Sequence, residues 1–140
     1  MVLHTLPVRV LVADDSESFR TALSSLLEHA SFMTVVAAAR DGSEAVRACR
    51  KHEPDLVMMD VRMPIMNGCD AAVAIREMLP DARIILLSVD PDALGADAAA
   101  ARAIDAFIPK IGLQRALRPE LERLFPLLLG ARVPHAWWFT

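Results

Sequence analysis

Residues 56–68 read LVMMDVRMPIMNG. Four apolar residues, Leu56 to Met59, run without a break into the carboxylate of Asp60, and a Met-Pro pair and Gly68 follow. A short continuous apolar run bounded by turn residues is the pattern of a strand buried on both faces. Such a strand belongs to a parallel sheet with helices packed on each side. The charge at its end needs a reason.

The flanking sequence repeats the pattern. VRVLVA (8–13) reads as a first strand and FMTVVAAA (32–39) as a second; RIILLS (83–88) and AFIP (106–109) read as a fourth and a short fifth around LVMM. Segments of helical period lie between them. Phe19, Leu23, Leu26 and Leu27 recur at helical spacing behind a cap at Asp15 or Ser16. Ala45, Val46 and Cys49 follow a cap at Ser43 and stop at Pro54-Asp55. Ala71, Ala72, Ile75 and Met78 share one face after Gly68, and Pro80-Asp81 ends that helix. DALGADAAAARAI (92–104) predicts an alanine-rich helix weakened by Gly95. Leu113, Leu117, Leu121, Leu124 and Leu128 form a last stripe, interrupted by Pro119 and Pro126. That helix is either kinked or begins with Pro119 as its first residue. Strands of this kind alternating with helices imply an α/β fold with right-handed crossovers. Five such units suit a flavodoxin-like doubly wound parallel sheet, strand order 2-1-3-4-5, with helices on both faces.

Bulk composition narrows the function. A chain of 140 residues fits one domain and can bury roughly 70% of its unfolded surface. The net charge of −3 leaves no electrostatic footprint for nucleic acid or an anionic membrane. Cys49 and Cys69 make no metal or disulfide pattern, which suits reduced cytosolic thiols. His4, His29, His52 and His135 are scattered, with no partner at metal-ligand spacing. The first residues lack the pattern of a secretory signal, and no segment approaches the length of a membrane span. A soluble cytoplasmic protein is expected.

Ligands of open parallel sheets bind at the carboxyl ends of the strands. Here the first strand ends in Asp14-Asp15, the third in Asp60 and the fourth in Ser88, and Lys110 follows the fifth. Each has an ordinary explanation alone: a helix cap, a turn residue, a solvated lysine. Their joint placement on one rim does not. Two carboxylates about 4 Å apart repel by roughly 4 kcal/mol at an effective dielectric near 20. Lys110 offsets part of that, and a hard divalent cation such as Mg²⁺, which takes oxygen ligands, suits the rest.

These residues carry a family signature. LVADDSESFR, VMMDVRMPIMNG, ILLSVD and AFIPK resemble the receiver domain of bacterial two-component response regulators, over about residues 9–129. The resemblance implies that Asp60 is the phosphoacceptor, taking a phosphoryl group from a sensor histidine kinase or phosphotransfer protein. It implies that Asp14, Asp15, Asp60 and the backbone carbonyl of Arg62 hold Mg²⁺. Ser88 would hydrogen-bond the phosphoryl oxygens, Lys110 would pair with them, and Phe107 would be the aromatic switch. The face of the fourth helix, fifth strand and fifth helix would then meet a partner or a second copy.

Some positions depart from the pattern. Val89 stands where Ala or Gly is usual, and its branched side chain is expected to crowd the phosphoryl site. Ile111 stands where proline is usual. Arg62 and Asp90 occupy positions that tune dephosphorylation in the family, and their opposite charges are expected to pair across the entrance. Residues 1–130 are expected to form the receiver, with 131–140 an aromatic tail containing HAWWF. With no output domain visible, the chain reads as a stand-alone receiver or an excised one, a switch rather than an enzyme of metabolism. Two rivals are a Mg²⁺-dependent aspartyl phosphohydrolase and a degenerate receiver binding independently of phosphorylation. Arg62 counts against the first, since such enzymes want a carboxylate there; the complete polar set counts against the second.

Overall fold

A computed structural model describes residues 7–30 and 32–126 of the chain. The strands are β1 (Val8–Ala13), β2 (Met33–Ala39), β3 (Leu56–Asp60), β4 (Arg83–Ser88) and β5 (Ala106–Pro109). The helices are α1 (Glu17–Glu28), α2 (Gly42–His52), α3 (Gly68–Met78), α4 (Ala98–Ala103) and α5 (Leu113–Leu124). All strands pair in parallel in the order β2-β1-β3-β4-β5, the expected flavodoxin-like topology. Leu128, the tail 131–140, His4 and His135 lie outside the described residues.

Alternation along the strands sorts the core into two layers. Val8, Val10 and Val12 of β1, Leu56 and Met58 of β3, Ile85 and Leu87 of β4 and Ile108 of β5 face α1 and α5. Leu11, Val57, Met59, Ile84 and Leu86 face α2, α3 and α4. β3 is buried along its whole length, as its unbroken apolar run requires. Leu113, Leu117, Leu121 and Leu124 bury the predicted α5 stripe.

The ends of three helices differ from the sequence expectation. Asp41, not Ser43, caps α2: its carboxylate accepts from the Glu44 amide at 2.7 Å, while the Ser43 hydroxyl accepts from Arg47 at 2.8 Å. The predicted helix across 92–104 is confined to α4. Gly95 turns the chain at φ +56, and Asp97 caps the helix afresh by accepting from the Ala100 amide at 2.9 Å. α5 starts at Leu113 and carries Pro119 inside it, which excludes the reading that begins at Pro119. The missing proline donor leaves the Arg115 carbonyl without its usual partner four residues on.

The end of the sheet away from the charged rim is bolted down by Arg76. Its guanidinium donates to the carbonyls of Ala103, Pro80 and Ala82 and to the Asp105 carboxylate. Asp105 also accepts from the Ile84 amide at 2.8 Å, and its carbonyl accepts from Arg123 of α5 at 2.7 Å.

One residue of the loop after β3 is strained. Ile65 has φ +70 and is 84% exposed. A β-branched residue in the left-handed region costs about 1–2 kcal/mol, and burial here offsets little of it. Ile65→Asn keeps a side chain that tolerates this conformation and should stabilise the fold by about 0.5–1 kcal/mol. Urea unfolding with an unchanged or lower midpoint would contradict the assignment of strain.

Candidate functional site

The strand pleat aims the rim residues. Asp60 continues the Leu56, Met58 parity of β3, and Lys110 continues that of Ile108, so both fall on the α1–α5 side of the sheet. The Lys110 ammonium donates to Asp14 Oδ2 at 2.7 Å and to Asp60 Oδ2 at 3.3 Å. Asp14 is fully buried, Asp60 nearly so and Asp15 exposed. One carboxylate oxygen from each of Asp14, Asp15 and Asp60 lies within 4.8 Å of the others. Residues from the ends of three strands thus meet at one point.

Ser88 and Phe107 lie on the other parity, with Ile84 and Leu86, towards α3 and α4. Leu86 pairs with Phe107 in register, so Ser88 and Phe107 are diagonal neighbours on one face. The buried Ser88 hydroxyl accepts from the Asp90 amide at 3.1 Å. Arg62 and Asp90 form the expected ion pair, 3.0 Å between nitrogen and oxygen, linking the loops after β3 and β4. Val89, next to Ser88 on the loop after β4, is 66% exposed.

Charge balance at this point is incomplete. Burial raises Asp60 above the ordinary aspartate value, and the Asp14 charge raises it further; Lys110 and the Arg62 amide, 3.3 Å from Oδ1, pull it down without cancelling the rise. Burial depresses Lys110, but its hydrogen bond to Asp14 and the charges of Asp60 and Asp14 outweigh that, and its net shift is upward. The arrangement favours a bound cation. Three hard oxygen donors in a compact group fit Mg²⁺, which prefers carboxylates and retained waters.

Several supporting contacts were not legible in the sequence. The Ser16 amide donates to Asp14 Oδ1 at 2.9 Å, and Arg20 donates to the Asp14 carbonyl at 2.7 Å. The Lys110 ammonium sits 3.9 Å from the centre of the Phe19 ring. Helical spacing marked Phe19 only as a core residue; its position one turn beyond Asp15 was the available signal. Gly68 explains the glycine that closes the opening motif. A Cβ there would overlap the Asp60 carbonyl, and the Gly68 amide donates to the Val61 carbonyl at 2.8 Å. Only glycine allows α3 to start so close to the strand end.

A family model for the response regulator receiver domain matches residues 10–122. The chain belongs to the response regulator receiver family. This receiver is 37% identical to the transcriptional regulatory protein LnrK of Bacillus subtilis over 61% of its own length and 39% of that protein's. It is 40% identical to a protein-glutamate methylesterase/protein-glutamine glutaminase 1 of Oleidesulfovibrio alaskensis, over 74% of its length and 28% of that protein's. The chain therefore spans well under half of these relatives. The response regulator domain of Thermotoga maritima CheB superposes with a TM-score of 0.70 at 31% identity, covering 84% of this chain and 92% of that one. TrrA of Thermotoga maritima, solved with Mg²⁺ and a beryllium fluoride, gives 0.73 at 29% identity, covering 83% and 97%. The receiver is a module of two-component signalling, a phosphoryl-acceptor class of domain. No helix among the described residues is long and apolar enough to cross a membrane.

Two outcomes follow from the geometry. Gly68→Ala must push α3 off the Asp60 backbone and should cost about 3 kcal/mol, the upper end of the usual range for overpacking, because the clash is with main chain; an unchanged thermal midpoint would refute the contact. An Asp with a raised folded-state pKa is destabilising when ionised. That cost is present above the folded value and vanishes below the unfolded one. In chelator at neutral pH, Asp60→Asn should therefore melt higher than the native protein. With excess Mg²⁺ the order should reverse, because only the native protein keeps the full ligand set.

Proposed function

We propose that Asp60 accepts the phosphoryl group from the phosphohistidine of a sensor histidine kinase or phosphotransfer protein. The observation that carries this reading is the meeting of Asp60 with Asp14, Asp15 and Lys110 at the strand ends. An Asp60 carboxylate oxygen attacks phosphorus in line; the P–N bond breaks, and its electron pair leaves with the imidazole, which takes up a proton. Asp14, Asp15, Asp60 and the Arg62 carbonyl would hold Mg²⁺. The ion supplies positive charge to the phosphoryl oxygens when bound. Lys110, already poised between Asp14 and Asp60, adds a second positive charge. Ser88 donates its hydroxyl proton to a phosphoryl oxygen, exchanging its contact with Asp90 for one at Asp60.

The readout follows from the shared face of Ser88 and Phe107. Movement of Ser88 towards Asp60 opens space beside its diagonal neighbour, and Phe107 turns inward to fill it. The surface formed by α4, β5 and α5 changes shape and meets a partner or a second copy of the chain. Among the described residues, the large apolar side chains that stand exposed are Ile65, Val89 and Ile111, one on each loop after β3, β4 and β5. Their loops all leave the carboxyl ends of the strands, the end that carries the acidic site, and suit docking of the phosphodonor. We assign the receiver unit to residues 1–130, with 131–140 as a tail, acting in the cytoplasm. Its chemistry is self-phosphorylation and self-dephosphorylation rather than turnover of a metabolite.

Acetyl phosphate with Mg²⁺ should add one phosphoryl group, detected by mass spectrometry. Asp60→Asn and chelator should each abolish it; label surviving either control defeats the assignment. The Arg62–Asp90 pair spans the entrance, so Arg62→Ala should change the dephosphorylation rate. A roughly two- to fivefold change is the span that an exposed ion pair of up to about 1 kcal/mol can supply. An unchanged rate removes the pair from the timing of the signal.

A further inference from the structure

Phe19 lies outside the set of residues assigned to the metal and the phosphoryl group, although it stands beside them. It is the third residue of α1, and its amide donates to the Ser16 hydroxyl at 3.3 Å. Ser16 in turn donates its own amide to Asp14 Oδ1 at 2.9 Å. A single turn of chain therefore fixes the Phe19 ring relative to the carboxylates. The ring face lies 3.9 Å from the Lys110 ammonium, on which two donors are engaged by Asp14 and Asp60.

Beyond the ring lies a groove of about 670 Å³ between α1 and α5, lined by Phe19, Leu23, Leu26, Leu113 and Lys110 among others. Lys110 thus borders two environments, the carboxylate pocket and this open groove. Without the ring, water from the groove would solvate the ammonium and screen it from the phosphoryl oxygens. An aromatic face attracts a cation without accepting a directed hydrogen bond. A polar residue in its place would anchor the ammonium to one spot. The ring lets it slide from Asp14 towards a phosphoryl group on Asp60 while staying attracted throughout.

Building on the phosphoacceptor role of Asp60, we propose that Phe19 is a positioning residue for phosphoryl transfer. Its ring walls Lys110 off from the α1–α5 groove and holds the ammonium over the reacting oxygens.

The test is the rate of Asp60 phosphorylation by acetyl phosphate at saturating Mg²⁺, with the Mg²⁺ dissociation constant and thermal midpoint measured alongside. Phe19→Leu keeps the apolar bulk and loses the π face; it should react roughly two- to thirtyfold more slowly, the range a cation–π contact supplies. Its Mg²⁺ affinity should stay within about twofold of native. Phe19→Trp should hold the native rate or exceed it. Trifluorophenylalanine at position 19 keeps the shape, withdraws the negative face and should slow the reaction as Leu does, even where Leu unfolds the protein. A native rate for the fluorinated protein, or equal slowing by Leu and Trp, overturns the inference and leaves phosphorylation of Asp60 intact. A native protein that takes no label at Asp60 defeats both, and this arm is read without any Phe19 variant.

Discussion

The structure depends on a repulsion that it does not fully relieve. Asp14 and Asp60 are buried beside each other with one ammonium between them, and Asp15 stands at the mouth. One positive charge against three negative ones leaves the strand ends electrostatically unsatisfied. That imbalance makes the site hungry for a divalent cation, and it makes the local structure responsive when another charge arrives. A balanced cluster would be more stable and would switch nothing.

The fold supplies the rigidity such an arrangement needs. Strand parity sends Asp60 and Lys110 towards α1, where Phe19 faces the ammonium and the Ser16 amide and Arg20 hold Asp14. The opposite parity sends Ser88 and Phe107 towards α3 and α4. The sheet thus separates the ionic group, on one side, from the Ser88 hydroxyl and the Phe107 ring on the other. Only the ends of β3 and β4 lie between them, which is the short path that the proposed movement of Ser88 would take.

Strand positions and rim charges were legible because they depend on patterns local to the chain. Unbroken apolar runs such as LVMM and RIILLS need no tertiary context to be read, and a carboxylate at the end of one is conspicuous. The α2 cap was misread because Asp41 and Ser43 are both good capping residues, and backbone geometry chose between them. The 92–104 segment was overextended because alanine content outweighs one glycine in any propensity sum, while the turn at Gly95 is set by how the loop meets the sheet. The exposure of Val89 and the ring beneath Lys110 are facts of three-dimensional direction. Nothing in the order of residues reveals which way a loop side chain points.

The Arg76 and Asp105 bolt gives the molecule a stiff base beneath a yielding crown. One guanidinium grips α3, the turn before β4 and the end of α4, and Asp105 draws α5 into the same knot through Arg123. Helices pinned at their feet can only tilt when their heads are disturbed. The movement proposed for the α4–β5–α5 face would therefore turn on this fixed end as a lever turns on its fulcrum.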